Sequence, residues 1–597
     1  MRSRVRGAGP TEPTNVPRMV SQRTIMHGTC IARGSDDAWA SARVMTSLFR
    51  SVRLPRRSLL VAASLVSTLA MACNKPQPAP PPTVAPTAEA TPEPAAPRTL
   101  DGERMLDLLE ELASDDLGGR YTLHDDIRRA AEAITRRYRE FGVQPASGDD
   151  YVVDYELRVG VQPGPELSLA IQKKRKSLPF AADAFVPRPE GAPGKVEGPL
   201  VFVGYAIAQK GTEGTVLDEL SGVDLKGAIA VVHAGNPPPS PDSPEARFGR
   251  DDRRMGKKLQ RVEAAGAAGV IVINPDPAAK LPDISQDKPV RSHVSIPVMQ
   301  VSAKEAYAQI PKLNWLRKGV DETKTSRSRQ LRGLRATLNN DVTVRTTKAP
   351  NILAMVPGTE LPDEIVLLGA HFDHIGVDEP GHGHCRKRDG DTICNGADDN
   401  GSGTAIVAEL AMHMSDPEHR PRRTVVFALF SGEELGLLGS RALAAQVDEL
   451  EPFAGRKIVA MLNIDMVGRL RERLTVSGVG SSDGWMPLLD EIGTMGMRIM
   501  YDRALTTRSD HAPFYERQVP ALFFFTELHG DYHAPGDGMD GILREGLVSV
   551  AGLVGEIAER LANGPGISFS PPTKPGDGLV SALPGDNPST IVKEVGP

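Results

Sequence analysis

The chain has 597 residues and a net charge of −6, with 70 Lys and Arg against 76 Asp and Glu and only 5% aromatic residues. That length exceeds what one core holds, so two or three folded units are expected, and the interspersed charge gives no reason to invoke nucleic acid. Four Cys residues in so long a chain exclude a disulfide scaffold and have to be read one at a time.

Arg53, Arg56 and Arg57 precede the uncharged apolar run Ser58–Ala72, which ends Leu69-Ala70-Met71-Ala72-Cys73. A basic region, a short apolar stretch and small residues before a cut describe a secretory signal, and the run is short for a spanning helix. Cys73 after a small residue resembles a bacterial lipoprotein signal in which the thiol is lipidated, although Ala70 rather than Leu69 stands three places before it. An ordinary secretory signal is the alternative. Met45 would give a signal of normal length, so residues 1–44 read as an over-extended start or an unusual leader. Residues 1–73 are thus leader and signal, and Cys30 within them carries little meaning. Residues 74–99, rich in Pro, Ala and Thr, read as a disordered spacer. Residues 564–597 read as a flexible tail.

Folding is expected to begin near Leu100. Met105, Leu108, Leu109 and Leu112 recur at helical spacing, as do Ile127, Ala131, Ile134, Tyr138 and Phe141, which predicts two opening helices. From Glu364 the chain alternates. Strands are predicted at Ile365–Ala370, Thr424–Phe430, Ile458–Ile464, Arg473–Val476 and Ala521–Phe525. Helices are predicted from Ser402 and Leu435 and near Met486 and Leu543. This pattern predicts an α/β fold with a mostly parallel central sheet flanked by helices. In such sheets a site lies beyond the carboxyl ends of the strands. Residues 185–345 have a different texture, with strand-like runs Leu200–Tyr205, Ala228–Val232 and Val270–Ile273 around one helix-like stretch, Lys257–Ala268. They read as a small β-rich α/β domain inserted between two segments of the larger unit, 100–184 and 346–563.

Seven residues carry the chemistry: His371, Asp373, Asp399, Glu433, Glu434, Asp465 and His533. Imidazole and carboxylate are zinc ligands, and two ions sharing a carboxylate can clamp a hydrolytic transition state. Residues two apart on a strand share a face, so Asp373 is expected to accept a hydrogen bond from His371. Asp399 sits in a Gly-flanked turn where it could reach two cations, with Asp398 the expected helix cap. Glu433 and Glu434 end an apolar strand and point apart, so one can bind metal while the other acts as general base. Asp465 follows a buried strand, where an unpaired carboxylate needs a cation or hydrogen bonds. Tyr532, beside His533, could donate to a developing oxyanion. His374, His382, His384, His511 and His529 read as pocket lining or surface. Cys385 and Cys394 flank Arg386–Ile393 and read as a disulfide closing a short loop in an oxidising envelope, with free thiols and zinc ligation the alternatives.

Together the segments AHFDH, NGADDNGSG, LFSGEELGLLGS, NIDMVG, SDHAPFY and DYHAPGD resemble the co-catalytic zinc aminopeptidase family (zinc peptidase family 28) that also contains glutamate carboxypeptidases and glutaminyl cyclases. The resemblance spans about Leu100–Ala562 and implies two Zn2+ per chain. Asp399 would bridge them, His371 and Asp465 would complete one site, Glu434 and His533 the other, and Glu433 would shuttle the proton. Residues 222–232 and 258–274 resemble a protease-associated domain. Peptides are the implied substrates, and the only implied membrane contact is a lipid anchor at Cys73. Aminopeptidase action is the leading reading. Carboxypeptidase or dipeptidase action, with Arg508 or Arg469 as a carboxylate pocket, is the alternative within the family. Glutaminyl cyclisation on a single zinc and a non-catalytic binding protein are disfavoured by the full ligand set and intact Glu433.

Overall fold

The computed structural model describes residues 100–210, 216–239, 250–571 and 579–580; the signal, the lipidation site and the spacer expected before residue 100 lie outside them. Among the described residues no helix is long and apolar enough to cross a membrane.

The apolar runs between Leu361 and Phe525 build the centre of a nine-stranded sheet. Strands Arg423–Phe430, Leu361–His371, Lys457–Ile464 and Ala521–Phe525 lie side by side and parallel. Every residue of Arg423–Phe430 is buried, as expected of a parallel strand covered on both faces. Helix Gly403–Met414 is likewise buried along its whole length. It packs with the opening helices Gly102–Leu112 and Asp126–Phe141 and the closing helix Arg544–Asn563 against one face of the sheet. Helices Leu438–Gln446 and Ala512–Glu516 cover the other face.

The sheet is mixed rather than mostly parallel. Val342–Val356 joins its parallel centre antiparallel and pairs along its length with Val152–Pro163. At the other side Leu474–Ser477 runs antiparallel to Ala521–Phe525, and Ile499–Asp502, a strand not expected from the sequence, closes the edge. The physical reason is connection length. Val152–Pro163 and Val342–Val356 are the outgoing and returning arms of the chain around the inserted domain, and arms that enter and leave together pair antiparallel.

A second, eight-stranded sheet forms the insertion. Ile229–His233 and Gly269–Ile273 are fully buried and parallel, with helix Met255–Ala264 against one face and Leu313–Thr323 against the other. This sheet also takes in Ser168–Lys173 and Lys176–Pro179, ahead of residue 185.

Candidate metal centre

The four parallel strands end at one edge of the sheet, and the chain leaves three of them through an acid or imidazole. His371 is the last residue of its strand. Glu433 and Glu434 follow Phe430 through Gly432, whose φ of 71° and contact with Tyr155, 2.6 Å from where a Cβ would stand, both require glycine. Asp465 follows Ile464 directly. His533 comes from the loop after Phe525, and Asp399 from the turn Ala397–Ser402 that leads into helix Gly403–Met414.

These elements bring the proposed ligands together. His371 Nε2 lies 3.4 Å from Asp399 Oδ1 and 3.3 Å from Asp465 Oδ1. His533 Nε2 lies 3.2 Å from Asp399 Oδ2 and 3.0 Å from Glu434 Oε2. Asp399 therefore turns one carboxylate oxygen to each group. Donors bound at about 2.1 Å around a tetrahedral zinc stand roughly 3.4 Å apart, so these separations are the edges of such a polyhedron. Asp399 Oδ2, Glu434 Oε1, Asp465 Oδ1 and His533 Nε2 are buried with no hydrogen-bond partner among the described residues. Leaving such atoms unsatisfied costs about 1–3 kcal/mol apiece. The donor set, the spacing and the orphaned atoms all fit a pair of divalent cations.

The electrostatics agree. Burial lowers the basicity of the His371 imidazole, but the charges of Asp465 and Glu433 overcome it and hold the group well above its ordinary range. For His533, burial opposes protonation while Glu434 and Asp399 push the pKa up to about 11. Asp399 is held well below the usual carboxylate range, against burial, by the imidazoles of His371 and His533 beside it. A field this negative is one that cations neutralise.

A ring of buried groups orients the donors. The expected hydrogen bond from His371 to the Asp373 carboxylate is not the one formed: Nδ1 lies 3.1 Å from the Asp373 main-chain oxygen, with the carboxylate at 3.7 Å. The strand stops at His371, so Asp373 no longer alternates with it. The Asp373 carboxylate instead accepts from Thr122 Oγ1 at 2.7 Å and from the Glu433 N–H at 3.2 Å, fastening the glutamate turn. Asp398 does not cap the helix; its Oδ1 accepts from the Gly468 N–H at 2.7 Å. Asn463 donates to Ser509, which donates to Asp465 Oδ2, both at 2.8 Å. Asp537 accepts the N–H groups of Asp398 and Asp399. Arg469, 3% exposed, bridges Asp537 at 2.9 Å and Asp531 at 3.0 Å. It is a strut between the two ligand loops and not a substrate pocket. Tyr532 stacks on His533 with ring centroids 3.9 Å apart. Burial and the surrounding carboxylates raise its pKa, which keeps the hydroxyl a donor.

The remaining histidines separate. His511 Nε2 is drawn to the Thr506 carbonyl at 2.6 Å, His529 stands 3.3 Å from Asp398 behind the site, and His384 lies 3.4 Å from the Tyr121 hydroxyl. His124 and His382 share Asp126 Oδ2 at 2.9 and 2.6 Å. Their rings are stacked at 3.4 Å and Arg129 holds the second Asp126 oxygen; the three groups have ligand spacing, and the Arg129 cation beside them opposes a metal ion.

His374, read from the sequence as lining or surface, is different. It is fully buried, its Nδ1 faces Glu434 Oε1 at 3.0 Å out of hydrogen-bond alignment, and neither ring nitrogen has a hydrogen-bond partner among the described residues. With Asp399 and Glu434 it forms a group of ligand spacing. His374→Ala is therefore expected to weaken zinc binding at this group by about 10–100-fold. Chelator competition checks this, and undisturbed zinc binding would return His374 to a lining role.

Cys385 and Cys394 are joined by a disulfide with Cα atoms 5.6 Å apart. The loop they close carries Arg388, which reaches Asp531 at 3.3 Å and so touches the loop that bears His533.

Residues 351–558 match the family described as Peptidase family M28, and residues 196–308 match the PA domain. Residues 351–558 thus form an M28 peptidase unit, and a PA domain is inserted ahead of its strands. It is 26% identical over 429 residues to "Aminopeptidase YwaD" of Bacillus subtilis (strain 168), an alignment covering 66% of this chain and 80% of that protein. It is 30% identical to "Probable leucine aminopeptidase" of Arthroderma otae over 36% of this chain and 58% of that one. Among solved structures, "Aminopeptidase from Aneurinibacillus sp. strain AM-1" superposes with a TM-score of 0.43 at 20% identity, over 79% of this chain and 96% of that chain.

Proposed function

We propose that this chain is a zinc-dependent aminopeptidase that holds two Zn2+ and removes N-terminal residues from peptides. One observation carries the reading: buried donors from separate strand ends converge at ligand spacing around Asp399, beside a glutamate that none of them engages. His371 and Asp465 would hold one ion, and Glu434 and His533 the other, with Asp399 between them. Zinc bound there supplies an acidified water and neutralises oxyanion charge. The Glu433 carboxylate, half-buried and without a hydrogen-bond partner among the described residues, takes the proton of the attacking water and returns it to the leaving amine. The Tyr532 hydroxyl donates to the oxyanion.

A second reading is carboxypeptidase or dipeptidase action. It is favoured by Arg508, whose charge bears on Tyr532 and which forms no ion pair among the described residues. Under either reading, a lipid anchor at Cys73 would hold the enzyme in the cell envelope.

The test is a zinc-reconstituted panel of free and N-acetylated peptides, with zinc counted per chain. Free peptides are expected to be shortened from the N-terminus at two zinc per chain, by a mature protein whose intact mass begins at acylated Cys73. Cleavage of acetylated peptides would select the second reading, and a single zinc would remove the two-ion site.

A further inference from the structure

One cavity among the described residues lies apart from the residues of the metal centre. It is a cleft of about 840 Å3 between the inserted domain and the peptidase, within the size range of sites that bury a small molecule or short peptide. Strand Val152–Pro163 contributes Tyr155–Val161 to its lining, and the segment 282–293 forms one wall. That wall is fixed, because Lys288 N–H donates to Val159 O at 2.8 Å and Val290 N–H to Arg158 O at 2.9 Å. Helix Met255–Ala264 supplies Lys257.

The cleft opens beside the reacting groups. Gly436 and Leu438 line it, and Gly436 N–H closes the glutamate turn onto Glu433 O at 2.8 Å. Tyr155 donates to Ser431 O at 3.1 Å, directly before that turn. Arg291 leans over Gly436, its Cδ 3.4 Å from where a Cβ would stand. Its charge reaches His384, whose imidazole burial and Arg291 lower while Glu434 opposes. Arg291 thus lies at the end of the cleft that meets the glutamate turn.

The lining is strongly cationic. It contains seven Lys and Arg residues against three Asp and Glu. Glu190 and Arg188 neutralise each other in a two-pronged contact, and Arg441 stands 3.6 Å from Glu516. Lys257, Lys288 and Arg291 are exposed and form no ion pair among the described residues. Arg158 has a buried Nε without a hydrogen-bond partner. Like-signed charges gathered in a walled cleft focus their field and recruit the opposite charge.

We infer that this cleft binds the part of a peptide beyond the scissile bond and selects acidic residues there, making the PA domain a specificity element. This rests on the aminopeptidase reading and adds the substrate class.

The experiment compares peptides that share an N-terminal Leu-Gly and continue with either two Glu or two Lys residues. At low salt kcat/KM is expected to favour the acidic peptide by about tenfold, the lower edge of what such a field contributes to association. The difference should lie in KM and shrink as salt screens it. In the double variant Lys257→Glu, Arg291→Glu the preference is expected to vanish or invert. Leucyl-nitroanilide, too short to reach the cleft, reports whether the centre is intact in that variant. Binding of N-acetylated acidic peptide, followed by fluorescence anisotropy, needs no turnover and so separates failure of this inference from failure of the peptidase reading. Equal kcat/KM for the two peptides at low salt, or a preference unaffected by charge reversal, overturns it.

Discussion

Glu433→Gln is expected to keep its full complement of zinc and to lose about 10²–10⁴-fold in kcat, the usual contribution of one positioned proton-transfer group. The expectation follows from what Glu433 touches. Its N–H is held by Asp373 at 3.2 Å and its carbonyl accepts from Gly436 and Leu437, so the backbone that aims the side chain is fixed. Burial first, and then the charges of Glu434, Asp510 and Asp465, raise the carboxyl's affinity for a proton, opposed by His371. A carboxylate so placed accepts a proton readily and is poorly matched to a role as a permanently charged ligand. Gln has the same shape and cannot take up that proton. The measurement is kcat with zinc content on the same preparation. A variant that turns over within tenfold of the parent excludes Glu433 as the base, and one that has lost zinc shows that it is a ligand.

The metal centre was legible because its residues are tied to local signals. Apolar runs predict where parallel strands end, and His371, Glu433, Glu434 and Asp465 follow such runs directly. What could not be read is everything held by tertiary contact. Ser509 orients Asp465 from 44 residues away, and Asp537 holds the Asp399 N–H from 138 residues away; no periodicity marks either. The assignment of Asp373 erred because strand alternation was carried two residues past the end of the strand. His374 reads as lining or surface from the sequence because it shares the AHFDH segment with His371, and nothing local marks which of the two imidazoles is turned to the donors. Only its burial without partners reveals it.

The same holds for the fold. The parallel centre was visible in runs such as Thr424–Phe430, whereas the antiparallel arms were not. Val152–Pro163 mixes buried and exposed residues with charges on its open face, a pattern without the continuous apolar signal of a strand covered on both faces. Its partner, Val342–Val356, lies on the far side of the insertion.

Arg120→Met is expected to destabilise the peptidase domain by about 3–5 kcal/mol, the range for breaking a buried charged network. Arg120 is fully buried. Its Nε donates to Phe372 O at 2.8 Å, Nη2 to Gly396 O at 2.9 Å, and Nη1 to Asn395 O at 2.6 Å and to Leu112 O. These acceptors belong to the chain just after His371 and just before Asp399, so one guanidinium fastens the two donor-bearing turns to each other and to the end of an opening helix. Burial lowers its pKa to about 10 against the pull of Asp373, Asp537, Asp399 and Glu434, so it stays charged at neutral pH. Methionine fills much of the space and makes none of the bonds, leaving several carbonyls unsatisfied at about 1–3 kcal/mol each before relaxation. Zinc affinity then distinguishes two roles. If Arg120 mattered mainly as a positive charge beneath a cation site, its removal would tighten zinc binding. If it holds His371 and Asp399 in register, removal loosens binding, and Arg120→Lys, which keeps the charge but reaches fewer carbonyls, falls between the two. The contacts favour the second outcome. A Met variant within 1 kcal/mol of the parent in denaturant unfolding, or one that binds zinc more tightly, contradicts it.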